Sequence, residues 1–547
     1  MGFMRSPKSN ETLAISRIIY HAFNESESAY IRSSKNTAAT LRVPVFYYTH
    51  DVTTPKKVLQ STFGHKKFRP GQQEIISALL AKKSVLAILP TGAGKSLCYQ
   101  VPGVMMDGTT LVISPLISLM QDQVTGLLRR NIAAAYLSST QTDIQRQQVL
   151  YQLQQGRLKF LYVAPERLQS NSFQNTIKAV PINFLVVDEA HCISTWGHQF
   201  RPSYRSIYSF IKKLPQRVSI AAFTATATPT VADDIVESLG MSEPLRFSQS
   251  FHRPNLTINS YPCTCSTERD LALFRLLKHH QNEPGIIYAT TRNMTEELCE
   301  RIQLFFPSLA AKPYHAGLSA QERTNVQEQF VNGNQQLIVA TTAFGMGVDK
   351  PNVRFVIHYQ LPANIENYYQ EIGRAGRDQL QSQCYLLSTG HDIEIQTRLI
   401  QTGSNQAHIR VSEQKLKEIA KYAVSKNCLH RLILDYFSEN GSNCENHCSN
   451  CIGLYTPHSL LFGIDDQEKQ TLAALLKKRE SLSEQQHLPN RAIATDKQLC
   501  WLALMNPTKK EDCVRLPGFG KGWVEQWWEF FAFKADDDRA QLPLDTV

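Results

Sequence analysis

Short apolar, β-branched runs recur along this chain, separated by polar stretches of helical length. The first set lies at residues 85–89, 111–113, 160–163, 184–187 and 219–223. After a bridging stretch at 250–255, a second set follows at 285–288, 337–340 and 356–359. Runs of this kind predict buried strands of a parallel sheet, and the polar stretches between them predict helices covering both faces. Two doubly wound α/β units result, with functional groups expected at the carboxyl ends of the strands. Further along, the period changes. Leu429, Leu432, Ile433, Tyr436 and Phe437 follow helical spacing behind Cys428, and residues 467–480 are helical again. Residues 1–53 hold neither period. They mix Ser, Asn, Thr and scattered Arg with short apolar patches and remain unassigned.

The polar residues after the apolar runs carry the chemistry. The first run feeds into Leu89-Pro-Thr91-Gly92-Ala-Gly94-Lys95-Ser96, with helix-compatible residues beyond it. This is the strand, glycine-rich loop and helix of a phosphate-binding loop. Its amides and helix amino end face phosphate, Lys95 reaches the β- and γ-phosphates, and the Ser96 hydroxyl holds Mg²⁺. Leu89 stands where the usual first glycine would be. Asp188-Glu189 ends the run at 184–187: the first acid suits a metal ligand and the second a general base that polarises water. Upstream, Gln72 follows Phe68-Arg69-Pro-Gly, and its amide can pair with the edge of adenine. Trp196, His198, Phe200 and Arg201 form an aromatic, basic loop beside the acid pair, suited equally to stacking on bases and to ordinary packing. The second α/β unit has no phosphate loop. Its Gln370-Glu-Ile-Gly-Arg374-Ala-Gly-Arg377 instead offers arginines that can reach a transferring phosphate when a cleft closes.

Composition adds three points. No stretch approaches the length of a membrane span, and residues 1–10 lack the apolar core of a secretory signal, so an intracellular protein is expected (cytoplasmic or nucleoid-associated if bacterial). A net charge of +10 favours a polyanionic partner. Four of twelve cysteines, Cys428, Cys444, Cys448 and Cys451, are clustered and suit a closed tetrahedral Zn²⁺ site. A Cys₃His variant using His447, and four unrelated thiols, are the alternatives.

In this order, the motifs Phe68-Arg69-Pro-Gly-Gln72, Pro90-Thr-Gly-Ala-Gly-Lys95-Ser96, Asp188-Glu-Ala-His191-Cys-Ile-Ser-Thr-Trp196-Gly-His198 and Gly373-Arg374-Ala-Gly-Arg377 resemble the RecQ family of superfamily 2 DNA helicases. The resemblance spans roughly residues 55–451. It implies two RecA-like parallel-sheet domains (54–246 and 247–400), a helical zinc-binding subdomain (401–455), and ATP, Mg²⁺ and Zn²⁺ as cofactors. It assigns Arg69, Gln72, Thr91, Gly92, Gly94, Lys95 and Ser96 to the nucleotide, with Ser96 and Asp188 on Mg²⁺. Lys95, Asp188, Glu189, Arg374 and Arg377 become catalytic, and His191, Thr224, Thr226 and Gln370 couple the domains. Trp196, His198, Phe200 and Arg201 become DNA contacts, and the four clustered cysteines ligate Zn²⁺.

Single-stranded and tailed duplex DNA are the implied substrates, 3′→5′ movement the implied direction, and recombination or repair the implied setting. Several features depart from the family: Gln379 follows Arg377-Asp378 where Gly is usual, and the gap between Cys444 and Cys448 is three residues instead of two. His65 stands where an aromatic ring often stacks on adenine, and no winged-helix pattern follows the zinc cluster. The tail, 456–547, resembles a linker and a divergent HRDC-like helical domain, its tryptophans expected in the core. An ATPase that translocates without unwinding alone, an RNA helicase and a non-enzymatic binding module are the rival readings.

Overall fold

The computed structural model describes residues 54–197, 199–345, 350–402, 406–453 and 463–532. All belong to one compact unit, Thr53–Val547. Its first sheet contains β1 (Val85–Ile88), β2 (Thr109–Ile113), β3 (Ala134–Leu137), β4 (Phe160–Val163), β5 (Ile182–Val187), β6 (Ser219–Thr224) and β7 (Leu245–Ser248). They lie in the order β3-β4-β2-β5-β6-β1-β7, all parallel. Alternate residues of one strand enter two different cores. Leu111 and Ile113 face one side, Val112 the other, as the twofold period of a strand requires.

The second sheet contains β8 (Leu256–Pro262), β9 (Gly285–Tyr288), β10 (Lys312–Tyr314), β11 (Leu337–Ala340), β12 (Phe355–His358) and β13 (Ser382–Ser388). Its order is β10-β11-β9-β12-β13-β8, again all parallel. All eight apolar runs of the sequence are strands here. Four of the five strands outside those runs are sheet edges: β3 and β7 in the first sheet, β8 and β10 in the second. β7 pairs with β1, so the first sheet runs past the expected divide at 246/247.

The zinc module extends the β8 edge. The Ile258 amide donates to the His447 carbonyl and the Ser449 amide donates to the Ile258 carbonyl, both at 3.0 Å. Ser260 donates its hydroxyl to the Ala423 carbonyl at 2.7 Å, and its amide donates to Ser449 Oγ at 3.3 Å. An open sheet edge is thereby closed.

The tail forms five helices among the described residues: Asp466–Gln486, Asn490–Ile493, Asp496–Met505, Lys510–Val514 and Lys521–Phe531. No strand follows β13 there, in keeping with the absence of a winged-helix pattern. Trp501, Trp527 and Trp528 are buried in its core, and Trp523 donates its indole N–H to the Ile493 carbonyl at 2.6 Å. The expectation that these rings pack rather than stack on bases holds.

This helical unit is docked on the second domain. In the helix Ser266–His279 every residue from 268 to 277 is buried, because one face lies on the sheet and the tail covers the other. Phe274 meets Trp501 edge-on at 5.5 Å, and Arg275 forms a buried ion pair with Glu468 through Nε (2.8 Å) and Nη2 (2.5 Å). Removing one member of a buried pair strands the other charge, at a cost of about 3–5 kcal/mol. Glu468→Ala should therefore lower stability by that amount in chemical denaturation. An unchanged midpoint would show that the Arg275–Glu468 pair does not stabilise the docked tail.

Candidate active site and metal centre

The phosphate loop forms because β1 ends between β6 and β7. Leu89 extends that strand, its amide donating to the Thr224 carbonyl at 3.0 Å, and its side chain is fully buried. Gly92 and Gly94 then take φ of 84° and 81°, which a side chain would resist. A Cβ on Gly94 would lie 2.5 Å from Gln72 Nε2. That amide donates to the Ala93 and Gly94 carbonyls at 3.0 and 3.1 Å, and its oxygen accepts from the Arg69 amide at 2.9 Å. Gln72 thus fastens the upstream motif to the loop, an arrangement its sequence context did not suggest. The Lys95 ammonium donates to the Leu89 carbonyl at 3.3 Å, and Ser96 follows it in the first turn of the helix Lys95–Met105.

Asp188 and Glu189 sit at the end of β5, two strands from β1 across β6. Glu189 has φ 48°, a strained bend that turns its carboxylate toward His191, whose Nδ1 lies 3.4 Å from Oε2. His191 Nδ1 also lies 2.8 Å from Thr224 Oγ1. Thr224 Oγ1 donates to the Thr226 carbonyl at 3.2 Å, and Gln370 Nε2 donates to Thr226 Oγ1 at 3.0 Å. Contacts thus run from the acid pair, through four side chains, into the second domain. Burial lowers the His191 pKa and favours the neutral ring.

Burial, and then the Glu189 charge, raise the Asp188 pKa to about 7; Lys95 opposes this. An unfolded aspartate titrates near 4, so between about pH 4 and 7 the nucleotide-free folded state holds the extra proton. This contribution to stability falls as pH rises through that window. Binding of Mg²⁺–ATP at pH 6.5 should therefore release a proton, seen by calorimetry in buffers of differing ionisation enthalpy. Asp188→Asn should abolish that release; equal heats for the parent in all buffers would refute it.

A cleft of about 620 Å³ collects Arg69, Gln72, Thr91, Gly92, Gly94, Lys95, Ser96, Asp188 and Glu189 from the first domain, with Gln370, Arg374 and Arg377 from the second. Arg377 Cγ lies 3.4 Å from where a Gly92 Cβ would be, and Arg374 Nη2 2.9 Å from the same position on Gly345. His65 lies at the rim and is exposed. Asp188, Glu189, Lys95 and the guanidinium groups of Arg69, Arg374 and Arg377 thus surround a loop shaped for phosphate. Asp188 and Ser96 offer oxygen donors of the kind Mg²⁺ takes.

The aromatic loop is split. Trp196 is 53% exposed and free to stack. Phe200 lies between Arg205, whose guanidinium is 5.2 Å from its ring centre, and His408 at 6.3 Å. Arg201 donates Nη1 to the Pro115 carbonyl at 2.9 Å, so it braces the loop. His198 lies outside the described residues.

The thiols of Cys428, Cys444, Cys448 and Cys451 all lie within 4.8 Å of one another, and none forms a disulfide. A tetrahedral Zn²⁺ with bonds of about 2.3 Å needs sulfurs about 3.8 Å apart, so four thiolates fit. Among the described residues no histidine joins this group, which sets aside the His447 alternative. Cys428 caps the helix Leu429–Tyr436. Burial opposes its ionisation, but the Arg431 and Cys444 amides outweigh this and lower its pKa.

No described helix is long and apolar enough to cross a membrane. Residues 69–235 match the DEAD/DEAH box helicase family, 268–379 the helicase conserved C-terminal domain, and 390–452 the RecQ zinc-binding family. Solved helicase structures share the fold: Mss116p bound to ssRNA and AMP-PNP superposes with a TM-score of 0.55 at 15% identity, over 83% of this chain and 89% of its own. The ATP-dependent DNA helicase RecQ of Bacillus subtilis is 39% identical over 78% of this chain and 71% of its own length. The RecQ of Haemophilus influenzae is 40% identical over 76% of this chain and 66% of its own. Paired parallel sheets, a shared phosphate cleft and a four-thiol knuckle on the second sheet thus occur together in a chain with this degree of identity, and the chain belongs to the RecQ family of ATP-dependent DNA helicases.

Proposed function

We propose that this protein translocates 3′→5′ on single-stranded DNA, driven by ATP hydrolysis in the cleft between its two domains, and separates duplex DNA during recombination or repair. The observation that carries this reading is the line of contacts from Glu189 through His191, Thr224 and Thr226 to Gln370. It joins the acid that activates the attacking water to the domain that must move. Lys95 and the loop amides hold the β- and γ-phosphates. Asp188 and Ser96 would hold Mg²⁺, which would supply neutralisation of phosphate charge. Glu189 accepts a proton from the attacking water, and Arg377, with Arg374 beside it, stabilises charge on the transferring group. Arg69 lies beside the base, in a motif that Gln72 fastens to the phosphate loop. Closing the cleft brings the arginines in, and hydrolysis releases them, stepping the strand past Trp196 and Phe200. Contact with DNA is mainly to phosphate and so weakens steeply with salt.

A second reading has a specific observation behind it. The described chain beyond the zinc module is helical, with no hairpin wedge to part a duplex. On that reading the protein is a translocase that unwinds only with help. ATP-dependent unwinding of a 3′-tailed duplex, with a 5′-tailed duplex as control, decides between them. Unwinding of the 3′-tailed substrate alone is the expected result. DNA-stimulated ATP hydrolysis without unwinding would favour the translocase, and unwinding from the 5′ tail would refute the direction.

A further inference from the structure

Between β7 and β8 the chain crosses from one domain to the other through residues 249–255. Arg253, half-buried in this crossing, bridges both halves of the active site. Its Nη1 donates to the Thr91 carbonyl of the phosphate loop at 3.3 Å. Its Nη2 donates to the Ala375 and Gly376 carbonyls at 3.2 and 3.4 Å, in the turn between Arg374 and Arg377. One planar, permanently charged fork therefore ties the phosphate loop to the turn that carries both arginines, a geometry a lysine does not reproduce.

The backbone that presents Arg253 is itself clamped. The Gln249 amide group donates to the Pro70 carbonyl, beside Arg69. The Glu439 carboxylate, just past the zinc module's helix Leu429–Tyr436, accepts from the Ser250 hydroxyl and, at 2.8 Å, from the Phe251 amide. The Phe251 ring stacks on Phe437 at 4.0 Å. Asn255 Nδ2 donates to the Gly376 and Leu380 carbonyls at 2.8 and 3.1 Å. Gly376 has φ 57°, and a Cβ there would lie 2.4 Å from Asn255 Nδ2, so the arginine turn is moulded onto this segment.

We infer that Arg253 is a positioning residue for ATP hydrolysis: it seats the arginine turn against the phosphate loop so that Arg377 faces the transferring phosphate. This rests on the reading of Arg377 proposed above. Arg253 offers the reaction no side-chain contact of its own here, and two of its three carbonyl partners lie between Arg374 and Arg377, so its effect runs through the seating of that turn on the loop.

The test uses the full chain with Arg253→Ala, Arg253→Lys, Arg377→Ala and the Arg253→Ala/Arg377→Ala pair. ATP turnover is measured with saturating single-stranded DNA, alongside thermal melting and binding of ADP with and without aluminium fluoride. Displacing a catalytic group by about 1 Å costs ~100-fold, so Arg253→Ala should lose about that in kcat with little change in KM. ADP should bind as in the parent, but aluminium fluoride should no longer tighten it. Arg253→Lys, which keeps the charge and guards against a misfolded alanine variant, should not restore turnover. The double variant should be no slower than Arg377→Ala alone. Multiplying losses in the double variant, or parental kcat in Arg253→Lys, would overturn the inference. Parental turnover in Arg377→Ala would overturn the reading of Arg377 itself, and the inference with it.

Discussion

Glu189→Gln should lower ATP turnover by about 100- to 10,000-fold, the range expected when a positioned general base is lost, while nucleotide still binds. The substitution keeps shape and removes only charge and proton affinity. Glu189 is held by a left-handed backbone bend at φ 48°, and its buried Oε2 has no hydrogen-bond partner. His191 Nδ1 lies 3.4 Å from that oxygen, and burial lowers the His191 pKa and favours the neutral ring, so no ion pair neutralises the carboxylate there. Binding depends on other groups: Lys95, Ser96 and the loop amides. Removing the Glu189 charge also removes one of the two influences that raise the Asp188 pKa. Asp188 should then ionise more readily and Mg²⁺–ATP should bind at least as tightly as in the parent. The variant should thus accumulate bound ATP, visible as a fluorescent analogue retained through a single-turnover chase. Turnover above about a tenth of the parent would remove Glu189 from the role of base.

Why the acids and the phosphate loop were legible in sequence is a matter of strand position. Each follows an interior strand whose residues are buried on both faces, and such strands read as unbroken apolar runs; the arginines, which follow the helix Ile365–Ile372, were legible instead from the glycines that flank them. Edge strands do not. β10 is only Lys-Pro-Tyr, and β8 carries Asn259 and Ser260, which resemble loop residues. Both are satisfied by partners remote in sequence: Asn259 by Gln383, and Ser260 by Ala423 and Ser449. Arg253 was illegible for a related reason. Its partners are backbone carbonyls, which leave no residue signature, and a lone linker arginine looks like any solvated one. The docked tail was hidden likewise. The helix beginning Ser-Thr-Glu-Arg-Asp reads as a surface, and Arg275 lies 193 residues from Glu468.

Removing Zn²⁺ should unfold much of the second domain rather than loosen a surface knuckle. Metal binding to structural thiolate sites is worth about 10–16 kcal/mol, while a whole domain is stable by only about 5–15. The metal term is therefore as large as the stability it supports. The route of propagation is visible in the packing. Cys428, Cys444 and Cys448 belong to the same buried cluster as Ile286, Val356 and Leu386 from three strands of the second sheet. Cys448 is fully buried and lies opposite Ile258 on β8, whereas Cys451 is half-buried at the rim. Cys448→Ser should accordingly be more damaging than Cys451→Ser, and chelation should resemble the former. In a metal-stripped sample, thermal melting should show early loss of the second domain, and ATP hydrolysis should fall with it because Arg374 and Arg377 lose their support. If the stripped protein instead melts and hydrolyses ATP as the metal-loaded protein does, the four thiols are dispensable to the fold. The β8 edge would then be held without the metal, by its backbone ladder to β13 and by the hydrogen bonds of Ile258 and Ser260 to His447, Ser449 and Ala423.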